Sequence, residues 1–159
     1  MVINQEYFTV ELASNITLGL PLNEMGTVAQ FETRDICIVP GIAEFWYGVV
    51  NYKGSLLWIL DSDRFLGLTK KDQKLTEKLT IVVVKNELSG NKQVAVVVKQ
   101  LKGIVTINSA DFKPLASEIS EQLRQCCSTA VEVNDRIINI LDSEALLQQL
   151  SQKSVLVSA

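Results

Sequence analysis

The stretch Gly48-Val49-Val50-Asn51-Tyr52-Lys53-Gly54-Ser55-Leu56-Leu57-Trp58-Ile59-Leu60-Asp61 decides how this chain of 159 residues folds. Trp46 to Val50 and Ser55 to Leu60 are short apolar runs. Between them, the polar Asn51-Tyr52-Lys53-Gly54 carries residue types that reverse a chain. The pattern predicts a β-hairpin bracketed by Gly48 and Gly54, with Asn51 turning the chain and Lys53 in solvent. A phosphate cradle would need its glycines ahead of a helix N-terminus, whereas here a strand follows.

Working outward towards the N-terminus, Tyr7 to Leu12 alternates. Phe8, Val10 and Leu12 share one face and Tyr7, Thr9 and Glu11 the other, which predicts a half-buried strand. Thr17 to Leu22 repeats the alternation after the turn residues Ser14-Asn15, so the two segments predict a hairpin. Pro21, lacking an amide hydrogen, belongs at a strand end or sheet edge. Gly26 to Phe31 and Ile36 to Val39 predict two more short strands, ended by the break at Pro40-Gly41.

Towards the C-terminus, Leu66 to Lys78 is a polar, lysine-rich connection. Leu79 to Lys85 and Gln93 to Lys99 are aliphatic strands joined by the loop Asn86 to Lys92, and Gly103 to Ile107 follows as another strand. Ser128 to Val133 and Arg136 to Leu141 predict a hairpin around Asn134-Asp135. Only Ser117 to Arg124 and Ser143 to Leu150 have helical spacing, with Ser143 as a cap. The apolar content is dominated by 18 Val, 13 Ile and 20 Leu against ten aromatic residues. Such aliphatic short strands with few helices predict a mostly β chain of small barrels or a sandwich, and strands on both sides of the lysine-rich stretch point to two barrel-like lobes in a single domain over residues 1–159.

Composition narrows the chemistry. The chain has no histidine, which removes Ser-His-Asp and Cys-His nucleophile systems, His-ligated zinc and the neutral-pH proton shuttle. Cys37, Cys126 and Cys127 are an odd number with two adjacent, which suits free thiols in a reducing compartment better than a disulfide framework. Of the adjacent pair, one is expected inside a strand and the other at its surface. Asp61, Asp63 and Asp142 are the nearest approach to a catalytic carboxylate group, but their places at strand ends suit turn and helix-cap roles. The opening residues lack the basic start and apolar stretch of a signal peptide, and no apolar run approaches the roughly 18 residues of a membrane span. A net charge of -3 with scattered lysines offers no stripe for nucleic acid. These features together predict a soluble cytoplasmic protein with no nucleic-acid partner and no membrane insertion.

Half of the aromatic residues, Phe45, Trp46, Tyr47, Tyr52 and Trp58, lie within fourteen positions of one another beside the central turn. Core packing and an interface both account for them.

At this segment the chain resembles the CheW-like family of bacterial chemotaxis coupling proteins. The residues carrying the resemblance are Pro40-Gly41, Phe45, the Gly48 to Gly54 turn, the strand Ser55 to Leu60, Asp61, and Arg64-Phe65-Leu66-Gly67-Leu68. Leu20-Pro21-Leu22, the aliphatic strands around Val82 and Val96, and Asn134 to Asp142 extend it along nearly the whole chain. The resemblance implies two SH3-like five-stranded β-barrel lobes sharing a hydrophobic seam, with short helices near the C-terminus. It implies a non-catalytic adaptor without a cofactor or metal, joining the regulatory domain of a CheA-type histidine kinase to the cytoplasmic tip of a chemoreceptor, recruited to receptor arrays at the inner face of the membrane. The implied partner-binding residues are Met25, Thr27, Tyr47, Gly48, Asn51, Tyr52, Lys53 and Gly54. The sequence departs from the family pattern at Lys53, usually arginine, at Trp58, customarily proline, at Thr27, commonly glutamate, and at Lys99, frequently aspartate. The alternative is a divergent regulatory domain that binds a non-receptor protein, or a small ligand, through the aromatic cluster.

Overall fold

Ten strands form two five-stranded sheets in the computed structural model, which describes residues 3–68, 77–87 and 92–153. β1 (Asn4–Glu11) and β2 (Thr17–Pro21) come first, then β3 (Met25–Glu32), β4 (Trp46–Tyr52) and β5 (Ser55–Leu60). A one-turn helix α1 (Ser62–Phe65) precedes β6 (Lys78–Asn86), β7 (Lys92–Val98) and β8 (Gln100–Asn108). α2 (Glu121–Cys126), β9 (Cys127–Val133), β10 (Arg136–Leu141) and α3 (Ser143–Lys153) complete the order.

The terminal lobe has strand order β8-β1-β2-β10-β9 and the central lobe β3-β6-β7-β5-β4. The orders correspond strand for strand. Each contains one parallel pair, β2 with β10 and β5 with β7, and otherwise antiparallel neighbours. The central lobe is therefore continuous in sequence, whereas the terminal lobe is assembled from both ends of the chain.

The two edges of each curled sheet are tied by an equivalent bridge. After β3, Cys37 exchanges both backbone hydrogen bonds with Val49 of β4, at 2.8 and 2.9 Å. After β8, Lys113 does the same with Ala130 of β9, at the same two distances. This bridge is what the structure has in place of the strand expected over Ile36 to Val39. A single pair is enough to close the edge, and Ile38 next to it points into solvent, 79% exposed.

Among the described residues, the buried apolar side chains form three clusters. Tyr7, Ile107, Val131, Ile138 and Ile140 pack inside the terminal lobe. Val50, Leu57, Ile59, Leu79, Ile81, Val83 and Ala95 pack inside the central one. The largest cluster is the shared seam, where Val10, Leu12, Leu18 and Leu20 of one hairpin meet Val82, Val84, Val94, Val96 and Val98 of the other, covered by Leu123, Leu146, Leu147 and Leu150. β1 thus meets a core on both faces, with Tyr7, Thr9 and Val10 buried and Phe8 partly buried, and is not half-buried as its alternation predicts, because its outer face is an inter-lobe face. The aliphatic runs of β6 and β7 have the same origin, since both of their faces meet a core.

The helices are shifted from expectation. α2 begins at Glu121, with the Ser120 side chain accepting from the Leu123 amide as its N-cap, so Ser117 to Ile119 lie outside it. For α3 the cap is Asp142, whose Oδ1 accepts from the Ala145 amide at 3.1 Å, and Ser143 is instead a buried first residue. The connection Leu66 to Lys78 and the loop Asn86 to Lys92 fall largely outside the described residues.

Candidate partner-binding site

The β4–β5 hairpin is built as its sequence requires. Asn51 Oδ1 accepts from the Gly54 amide at 3.2 Å, and Lys53 and Gly54 adopt positive φ of 51° and 83°. Two successive left-handed residues match the right-handed twist of the flanking strands. Asn51, Lys53 and Gly54 are exposed, Lys53 as expected. The Lys53 ammonium lies 5.2 Å from the Tyr52 ring centroid, a contact that keeps the charge at the surface. Tyr52 also makes an edge contact with Phe31 at 6.0 Å and is half-buried.

Gly48 is buried and has a different task. At φ +145° it lies at a bulge, since Trp46 pairs with Leu60 but Gly48 with Ile59. A Cβ there would sit 2.2 Å from the Cys37 carbonyl oxygen, within the bridge that closes the lobe. Tyr47, the bulged residue, packs partly buried against the central-lobe core.

Met25 and Thr27 open β3. Met25 packs against the seam, and Thr27 is half-buried, its hydroxyl donating to the Val28 carbonyl at 3.3 Å. The Phe31 ring marks the Tyr52 end of β3. Six residues of extended chain separate it from Met25, about 20 Å. Six of the eight expected residues therefore fall in two patches, the turn Asn51 to Gly54 and the start of β3 with Met25 and Thr27, while Gly48 is buried and Tyr47 packs against the central-lobe core.

The structure adds Leu56 to the turn patch. It pairs with Asn51 across the hairpin and is 69% exposed, while Leu57 beside it is 2% exposed. An exposed aliphatic side chain next to an exposed cation is a surface suited to a protein partner. Its sequence signal is weak, because consecutive leucines do not reveal which one faces out.

The aromatic cluster divides. Phe65, Phe45, Trp46 and Trp58 form a continuous chain with centroid separations of 4.8, 5.4 and 5.4 Å. Phe45 and Trp46 pack against the seam, so this group is mainly core. Trp58, where the family pattern has proline, is half-buried against Trp46.

The carboxylates are used structurally. Asp61 Oδ1 accepts from the Arg64 amide at 3.3 Å as the N-cap of α1, and Asp63 Oδ1 accepts from the Ala13 amide at 3.0 Å. Asp142 caps α3. Cys126 and Cys127 are both buried, at 1% and 8% exposure, against the expectation of one at the surface. Both side chains meet the seam, because α2 turns directly into β9 at this point. Burial, opposed by Lys153 and reinforced by Asp142, pushes the Cys126 thiol up to about 11. Burial, then Cys126 and Asp142, pushes Cys127 up to about 12. Both are protonated and poorly nucleophilic at neutral pH.

A family model for the CheW-like domain matches residues 6–151. The chain is 21% identical over 116 residues to the chemotaxis protein CheW of Bacillus subtilis (strain 168), covering 73% of this chain and 71% of that protein. It is 23% identical over 124 residues to the chemotaxis protein CheW of Thermotoga maritima, covering 77% and 76%. In structure it is similar to the scaffolding protein TtCheW of Thermoanaerobacter tengcongensis, with a TM-score of 0.72 over 88% of this chain and 90% of that one, at 17% identity. The duplicated five-stranded lobes, the shared seam and the family match over residues 6–151 lead to one assignment: the chain belongs to the CheW-like domain family of chemotaxis scaffold proteins.

Proposed function

We propose that this protein is a non-catalytic adaptor that couples the cytoplasmic tip of a chemoreceptor to the regulatory domain of a CheA-type histidine kinase, in the cytoplasm at receptor arrays. The observation that carries this reading is the family match over residues 6–151, with relatives that are chemotaxis CheW proteins. The whole chain acts as one two-lobed unit, a reading supported by the seam cluster drawn from both lobes. No helix among the described residues is long and apolar enough to cross a membrane.

The turn patch of Asn51, Tyr52, Lys53, Gly54 and Leu56 and the β3 patch of Met25 and Thr27 are the proposed contact surfaces. At the turn, Lys53 makes no ion pair among the described residues, so its charge is available to an acidic group of the partner. Lysine offers a point charge where arginine would offer a planar fork, so this contact tolerates a range of geometries. The test is a pull-down with the purified kinase regulatory domain and a receptor-tip fragment from the same organism. Binding of both by the wild-type chain is expected. Failure to bind either would refute the coupling role.

A further inference from the structure

The pairing of β3 with β6 is interrupted where β3 begins. Met25 faces Val84 and Val28 faces Val82, so Gly26 and Thr27 together oppose Val83. A bulge leaves its extra residue unpaired and disrupts the ladder locally, so the ladder alone does not fix this segment.

One hydroxyl ties the two strands together just beyond it. Ser143 Oγ donates to Glu24 Oε1 at 2.7 Å and accepts from Asn86 Nδ2 at 2.9 Å. Glu24 immediately precedes β3, Asn86 is the last residue of β6, and Ser143 is the first residue of α3. Ser143 is 1% exposed and Asn86 7%, so water competes little for the bond between them, which the low local dielectric strengthens, while the Glu24 end is half-buried. Ser143 is itself held on both sides, by the Asp142 cap before it and by Leu146, Leu147 and Leu150 in the seam after it. Across much of the seam the lobes meet through aliphatic side chains, whose attraction has no direction. This relay supplies direction at the point where β3 starts.

We propose that Ser143, with Glu24 and Asn86, is a clamp that positions the bulged start of β3, so that the seating of α3 sets how Met25 and Thr27 are presented to a partner. The part of this concerning partners rests on the reading of those two residues given above. Ser143 and Glu24 are positioning residues and touch no partner themselves.

The experiment uses the full chain with Ser143→Ala, Glu24→Ala and the conservative Glu24→Gln, whose amide oxygen still accepts the hydroxyl proton. Amide hydrogen exchange of the free protein is read at Met25 to Val28, with β10 as the distant reference. Exchange at Met25 to Val28 should rise about tenfold relative to β10 in both alanine variants and stay within about twofold of wild type in Glu24→Gln. Affinity for the kinase regulatory domain or the receptor-tip fragment should fall about tenfold in the alanine variants and recover in Glu24→Gln. Unchanged exchange at Met25 to Val28, or a rise shared equally by β10, overturns the clamp. A local rise in exchange with unchanged affinity for both probes upholds the clamp and refutes the assignment of Met25 and Thr27 as partner-binding. Should Ser143→Ala fail to fold, Glu24→Ala, altered at the half-buried end of the relay, decides the question alone.

Discussion

Gly48 and Gly54 bracket the same hairpin but meet different constraints. Gly54 has φ +83° with nothing within 4 Å of where a Cβ would lie, whereas a Cβ on Gly48 would meet the Cys37 carbonyl oxygen at 2.2 Å. Gly54→Ala should cost about 1–2 kcal/mol through left-handed backbone strain alone. Gly48→Ala should cost about 3 kcal/mol or more, because the bridge closing the central lobe must also move. Thermal denaturation of the two variants separates the cases. Lys53→Glu, at an exposed position, should leave the melting temperature unchanged and weaken kinase or receptor-tip binding about tenfold, measured by calorimetry. The cysteines give a third residue-scale prediction. At pH 8 alkylation should label Cys37 alone in the native protein and all three thiols after denaturation, read by intact mass. Because Cys126 and Cys127 are raised to about 11 and 12 from an ordinary 9.0, the folded chain keeps protons that the unfolded chain loses. Stability should therefore fall as pH rises from 9 towards these values, and Cys126→Ser with Cys127→Ser should flatten that part of the profile.

At the scale of elements, α3 depends on its first turn. Asp142 caps it, Ser143 ties it to β3 and β6, and three leucines seat it in the seam. Asp142→Ala should cost about 1 kcal/mol, a melting shift of about 2–4 °C, with faster amide exchange at the start of α3 and, through Ser143, a smaller rise at Met25 to Val28. The equivalent aspartate Asp61 caps the four-residue α1. Reading the strand-end aspartates as caps was possible from sequence because carboxylates after an apolar strand have few other local uses. Ser143 was legible only as a cap. Its real partners, Glu24 and Asn86, lie 119 and 57 residues away in the chain.

For the molecule as a whole, the seam makes the lobes interdependent. Both tryptophans, Trp46 and Trp58, lie in the central lobe, while Leu18 of the terminal lobe is 1% exposed in the seam. Leu18→Ala should cost about 2–5 kcal/mol, and the tryptophan fluorescence transition should shift together with the far-UV dichroism transition. Separate transitions would show that the lobes unfold independently. By itself the sequence determined the hairpins, the predominance of strands and the turn at Asn51 to Gly54, because alternation and turn chemistry act over a few residues. Tertiary structure decided the rest: that β1 meets a core on both faces, that Ile36 to Val39 contributes one bridge at Cys37, that Cys126 and Cys127 are both enclosed, and that Asn51 to Gly54 and the start of β3 at Met25 and Thr27 are separate patches. Each of those outcomes depends on what lies across the seam or across a closing edge, and no local pattern of side chains records its neighbours from a distant part of the chain.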